Sequence, residues 1–176
     1  MTLKQTILVL ACLAPLGAQA ACPEFLNQEM RKLHSSETVN LCAVSDERPV
    51  LIINTASHCG FTPQFKGLEA LHQKYGDRLA VVGFASNDFK QEASSEEQAA
   101  EICYVNNGVT FTMIAPSHVR GTEANPVFAE LGERTEAPSW NFNKYLVSAD
   151  GAEVKHFGSS TRPDSAELTA AIEEML

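Results

Sequence analysis

Val50-Leu51-Ile52-Ile53-Asn54-Thr55-Ala56-Ser57-His58-Cys59-Gly60-Phe61-Thr62-Pro63 is the most telling stretch of the chain, because it passes from an unbroken aliphatic run through a polar turn to a helix start. The aliphatic residues 50–53 have the character of a strand buried on both faces of a parallel sheet. Beyond the turn, Thr62 is expected as the N-cap and Pro63 as the first helical residue. Phe65, Leu68, Leu71 and Tyr75 then recur at helical spacing until Gly76 stops the pattern. Cys59 therefore sits on a turn just ahead of a helix N-terminus, where unpaired backbone N–H groups and the helix dipole favour a sulfur anion. Most free cysteines are small buried hydrophobes. The turn placement favours a chemical role for this one.

Working outward, Leu79-Ala80-Val81-Val82-Gly83-Phe84 reads as a second apolar strand. It completes a strand-helix-strand unit whose crossover is expected to be right-handed, with Cys59 at the carboxyl edge of the sheet, where open α/β sheets keep their sites. Upstream, residues 24–33 read as a short helix or irregular lead-in, Ser35-Ser36-Glu37 as a turn and Thr38-Val39-Asn40-Leu41 as a brief strand, together an N-terminal hairpin. Downstream, Ser95-Glu96-Glu97-Gln98 matches a capping box and opens a helix that carries Cys103 near its end, before Asn106-Asn107-Gly108 stops it. A third strand is expected over 109–114, a short helix over 126–131, and a fourth strand at Lys144-Tyr145-Leu146-Val147. Residues 153–157 are expected to return as an antiparallel edge. Residues 163–176 should close the chain as an amphipathic helix with Leu168, Ile172 and Leu176 on one face.

The 176 residues suit one domain with a real core. Lys4, the apolar run 7–16 and Ala18-Gln19-Ala20 have the layout of a signal peptide, so 1–20 is expected to be removed after Ala20, leaving a domain over 21–176. As a membrane anchor the run is too short to span a bilayer core of about 30 Å. Neither Cys12 nor Cys22 has a convincing lipobox before it. Removal takes away Lys4 alone, leaving 12 basic against 22 acidic residues, a formal charge of −10 that makes nucleic acid an unsuitable partner. Four of the five cysteines remain: Cys22, Cys42, Cys59 and Cys103. In an exported chain they imply an oxidising compartment such as the periplasm and up to two disulfides, with the pairing left open. No pair of Cys and His has a convincing metal-ligand spacing, and no cofactor is expected.

Three segments carry a resemblance. Asn54-Thr55-Ala56-Ser57-His58-Cys59-Gly60-Phe61-Thr62-Pro63-Gln64, then Gly83-Phe84-Ala85-Ser86-Asn87-Asp88-Phe89 with Gln91-Glu92, and then Trp140-Asn141-Phe142 are similar, in that order, to the signatures of the glutathione peroxidase family. From about residue 39 to 176 the chain resembles that family. The resemblance implies an α/β, thioredoxin-like fold with a central mixed sheet flanked by helices. It implies a catalytic tetrad of Cys59, Gln91, Trp140 and Asn141, in which two amides and an indole N–H offer donors to a sulfur anion and to peroxide. Taken singly, Gln91 could be an exposed loop amide, Trp140 a core aromatic and Asn141 a turn former. Cys103 stands where the two-cysteine members place a resolving cysteine. A sulfur held in an intact helix would have to be brought over by local unwinding, since a disulfide needs Cα atoms within about 7 Å. The chain departs from the pattern at Ala85-Ser86-Asn87-Asp88, where Pro-Cys-Asn-Gln is usual, at Thr112, where proline is common, and at Ala93-Ser94, where Pro-Gly follows the Gln-Glu pair. The insertion with which some members form tetramers is absent before Trp140, which favours a monomer. Cys22 and Cys42 match nothing in the family pattern. Their simplest reading is a structural disulfide between the N-terminal segment and the first hairpin, the rival being exchange with the catalytic pair. His58 is expected to face solvent.

The implied reaction is reduction of hydrogen peroxide or an organic hydroperoxide by Cys59, through a sulfenic acid and a disulfide with Cys103. A thioredoxin-like protein or a low-molecular-weight thiol would reset it. Two other classes compete. A thiol-disulfide oxidoreductase relies on Cys-x-x-Cys, and here Thr62 holds the partner position. A redox sensor or binding protein would use the oxidation of Cys59 as a signal and turn over little.

Overall fold

The structure, a computed structural model, describes residues 22–176. The expected leader and the cleavage after Ala20 lie outside the described residues. Among those residues no helix is long and apolar enough to cross a membrane.

In chain order the elements are β1 (Glu29–Arg31), β2 (Thr38–Asn40), α1 (Leu41–Ser45), β3 (Val50–Thr55), α2 (Gln64–Tyr75), β4 (Ala80–Ala85), α3 (Glu96–Ala100), β5 (Thr112–Ile114), α4 (Pro126–Arg134), β6 (Lys144–Val147), β7 (Val154–Phe157) and α5 (Ala166–Met175). A single 3-10 turn, Glu24–Leu26, precedes β1, and α3 runs directly into a π-helical turn, Glu101–Asn106.

Five strands form one mixed sheet in the order β5-β4-β3-β6-β7. β3 is central, parallel to β4 and antiparallel to β6; β5 is parallel to β4, and β7 is antiparallel to β6. Every residue of β3 and of β4 is buried, as their aliphatic runs require of strands covered on both faces. Side chains alternate between two cores. Leu51, Ile53 and Val81 pack with Phe65, Leu68, Leu71 and Tyr75 of α2 and with Leu168 and Ile172 of α5. On the other face, Ile52, Val82 and Phe84 pack with Val127, Phe128 and Leu131 of α4. The β1–β2 hairpin lies beside β5: Leu33 N–H donates to Met113 O and Ala115 N–H to Arg31 O, each at 2.9 Å, which covers an otherwise open sheet edge. A disulfide joins Cys22 to Cys42 in α1 with their Cα atoms 5.7 Å apart, the simplest of the expected pairings.

Element ends differ from expectation where side chains intervene. Leu41 starts a helix rather than ending a strand, because Asn40 accepts a hydrogen bond from Cys42 N–H as N-cap. Only Thr112–Ile114 of the third strand pairs in the sheet; Gly108 at φ 67° and a bond from Val109 N–H to Cys103 O tie the preceding residues to the π turn. α5 begins only after Ser165, whose hydroxyl accepts from Leu168 N–H, and Leu176 lies just beyond the helix and is exposed.

Candidate active site

β3 ends at Thr55, and the chain turns through residues 56–63 before α2 starts at Gln64. Thr62 does not cap α2. Its hydroxyl turns back into the loop, donating to Ala56 O at 2.9 Å and accepting from Cys59 N–H at 3.1 Å, so one side chain fixes the cysteine's backbone. Among the described residues, Cys59 Sγ accepts one hydrogen bond, from Phe61 N–H at 3.4 Å. Cys59 is a free thiol and 7% exposed. His58 beside it faces solvent, as expected.

The loop after β4 carries Gln91. Lys90 before it is in the left-handed region at φ 59°, which bends the chain so that Gln91 O accepts from His58 N–H at 2.8 Å. Glu92 continues the tie: its carboxylate accepts from the Ser57 hydroxyl and, at 2.7 Å, from Ala93 N–H. Burial pushes the Glu92 carboxyl above its ordinary range, and these hydrogen bonds oppose the shift.

Trp140 and Asn141 lie on the approach to β6, which Asn54 at the end of β3 holds at three points. Asn54 Nδ2 donates to Trp140 O at 2.9 Å, Asn54 Oδ1 accepts from Asn143 N–H at 2.9 Å, and Asn54 O accepts from Phe142 N–H at 2.6 Å. Phe142 adopts φ 61°, a rare state for an aromatic residue, and its buried ring meets Phe65 edge-on at 5.2 Å. Strain of this kind concentrates at functional sites. The turn it makes directs Asn141 Nδ2 to Gln91 Oε1 at 3.0 Å. Asn141 is fully buried and, among the described residues, its Oδ1 has no partner. Trp140 is 40% exposed, with its ring 5.3 Å from that of Phe89 in the Gln91 loop.

Gln91 and Asn141 thus touch, Gln91 is bonded to the residue before Cys59, and Trp140 packs on the same loop. Among the described residues, neither amide nor the indole hydrogen-bonds to Cys59 Sγ. Cys103 is a free thiol in the π-helical turn, in the same buried cluster as Cys59. Burial, aided by the Glu92 carboxylate, pushes its thiol up to about 12. Sequence reasoning quotes Asn54 and Glu92 within the signatures but gives them no role, and it misses Asn143 and Lys144 as parts of this region. The available signals were an amide following four aliphatic residues in β3 and a lysine opening an apolar strand.

A family model described as glutathione peroxidase matches residues 25–132, a stretch that includes Cys59, Gln91 and Cys103 and stops before Trp140. The glutathione peroxidase-like peroxiredoxin gpx1 of Schizosaccharomyces pombe is 44% identical over 125 residues, covering 67% of this chain and 79% of its own. The hydroperoxy fatty acid reductase gpx1 of Synechocystis is 40% identical over 140 residues, covering 72% and 82%. Among solved structures, the apo form of Trgpx superposes with a TM-score of 0.65 at 29% identity, over 86% of this chain and 94% of that one. A thioredoxin family protein of Chlorobium tepidum, with a TM-score of 0.64 at 9% identity over 84% and 92%, shares the fold alone. The sheet order and the flanking helices are those of a thioredoxin-like fold. With a family model matched over more than half its length and relatives at 40% and 44% identity, the chain belongs to the glutathione peroxidase family.

Proposed function

We propose that the protein is a thiol-dependent peroxidase in which Cys59 is the peroxidatic nucleophile, Gln91, Trp140 and Asn141 bind the reacting oxygens, and Cys103 resolves. One observation carries the reading: the Cys59 turn is bonded through His58 to Gln91, and Gln91 to a buried Asn141 whose Oδ1 is unpaired among the described residues. A free buried acceptor tied through Gln91 to the turn that carries a thiol suits a ligand that brings its own O–H, as a hydroperoxide does.

The Cys59 sulfur, as thiolate, attacks the terminal peroxide oxygen. The O–O bond breaks, an S–OH bond forms, and water or an alcohol leaves after taking up a proton. Cys103 then displaces that hydroxyl: its S–H proton leaves with it as water, and a Cys59–Cys103 disulfide forms. A thiol held at about 12 by burial is a poor nucleophile in place, so this step follows opening of the π-helical turn. A dithiol protein of the thioredoxin type, or two molecules of a small thiol, restores both thiols by exchange. The similarity to a Synechocystis protein named hydroperoxy fatty acid reductase supports organic hydroperoxides alongside hydrogen peroxide. The Cys22–Cys42 disulfide and the leader-like residues 1–20 support export to an oxidising compartment, the periplasm, with 21–176 as the mature monomeric domain.

Steady-state peroxide consumption with a dithiol reductant tests the reading. Cys59→Ser is expected to abolish turnover, and residual turnover above a few per cent would refute the nucleophile. Cys103→Ser is expected to be oxidised once, leaving a sulfenic acid that dimedone traps; equal trapping in the parent would remove Cys103 from the cycle. A parent that stops after one equivalent of peroxide is a sensor.

A further inference from the structure

Lys144 is the one lysine among the described residues that is fully buried. It pairs in register with Ile53 of β3, one residue before Asn54, at the carboxyl end of the central strand. Its Nζ donates to Phe142 O at 2.8 Å and to Ser159 O at 3.4 Å. Neither partner is a carboxylate, and burial pushes the ammonium down to about 8. An amine kept out of water at this cost is expected to have a task, since apolar residues of similar volume replace buried charges without loss in many proteins.

The partners indicate what the task is. Phe142 is the residue at φ 61° whose turn aims Asn141 at Gln91, and its carbonyl is held by Lys144. Ser159 O also accepts from Gln64 Nε2 at 2.7 Å, and Gln64 is the first residue of α2, the helix that follows the Cys59 turn. From the same side, Asn143 Nδ2 donates to Trp140 O at 2.8 Å and to Ser159 Oγ at 3.1 Å. Lys144 and Ser159 thus brace the Trp140–Phe142 turn and the helix behind Cys59 against one another.

We infer that Lys144 is a positioning residue for the peroxidase reaction, its buried ammonium locking the Phe142 turn so that Trp140 and Asn141 face the oxygens at Cys59. This rests on the proposed peroxidase reading. It predicts a dissociation between two reactions of the same sulfur: peroxide, which needs the oxygen-binding groups, and iodoacetamide, which does not, because the donor to Cys59 Sγ among the described residues is Phe61 N–H and not these side chains.

The test compares the parent with Lys144→Met, and with Lys144→Gln should the first fail to fold. Stoichiometric hydrogen peroxide is reacted with each reduced protein, and alkylation of Cys59 by iodoacetamide is followed by peptide mapping. Trp140, the chain's one tryptophan, reports the turn through its emission. Expected in the variant are oxidation slower by roughly tenfold or more, alkylation within about twofold of the parent, and altered Trp140 emission. Oxidation within about threefold of the parent, alkylation slowed in step with oxidation, or unchanged emission would each overturn the inference. A parent that does not react with peroxide instead sinks the peroxidase reading itself.

Discussion

Lys144→Met should also leave a signature in folding stability, read as a dependence on pH rather than as a single value. The ammonium is fully buried and drops from its ordinary 10.5 to about 8. A cation with a depressed pKa in the native state costs stability when charged, because the unfolded chain binds the proton more tightly. That cost is fully present below about pH 8 and fades as pH rises toward 10.5, so the parent gains stability across this window. Linkage over that gap puts the cost at about 3 kcal/mol at pH 7 and about 2 kcal/mol at pH 9. Methionine carries no charge and escapes this cost at both values. Losing the bonds to Phe142 O and Ser159 O costs the variant about 1–3 kcal/mol, with little dependence on pH. The stability of the variant minus that of the parent should therefore fall by about 1 kcal/mol from pH 7 to pH 9, whatever its sign at pH 7. Cys103, Tyr104 and Tyr145, all pushed up by burial, titrate in both proteins and cancel in the difference. Urea unfolding of both proteins at the two pH values measures it. A difference that stays constant, or that grows with pH, would refute the burial of a charged amine at this site.

Removing the Cys22–Cys42 disulfide by the double serine variant frees a loop with a sequence separation of 20 residues and should cost about 3 kcal/mol in denaturant unfolding. A loss below about 1 kcal/mol would mean that the bond does not restrain the chain. Asn54→Ala leaves the buried Asn143 N–H without its acceptor and should cost about 1–3 kcal/mol while slowing peroxide reduction. Unchanged peroxide kinetics in a destabilised Asn54 variant would separate that brace from the chemistry. Trp140→Phe keeps a ring to pack on Phe89 but loses the indole N–H, so peroxide reduction should slow by roughly tenfold, and an unaltered rate would exclude the indole as a donor.

Much of the architecture was legible because it depends on neighbours in sequence. The fourth strand has the same bounds in sequence and structure, Lys144–Val147, and the helix stripe Phe65, Leu68, Leu71 and Tyr75 is buried as its spacing required. Ser95 caps α3 by accepting from Gln98 N–H, as the capping box implied. Thr62 departs from the expected cap, since the same residue that can cap a helix can turn back and bond Cys59 N–H and Ala56 O, and only the folded loop selects between the two. Gln91, Trp140 and Asn141 stand out by motif resemblance alone, because nothing local distinguishes a site amide from a surface one or a site indole from a core aromatic.

Local sequence suffices to place a thiol between a strand buried on both faces and the head of a helix, because strand burial and helix periodicity are each read within about a dozen residues. That Asn54 holds the Trp140 segment, that Gln91 meets Asn141, and that Cys22 pairs with Cys42 emerges only in the folded chain. Folding also buries a lysine behind the site. These contacts join residues that lie far apart in the chain, and their energies depend on distances that exist only after the sheet has closed.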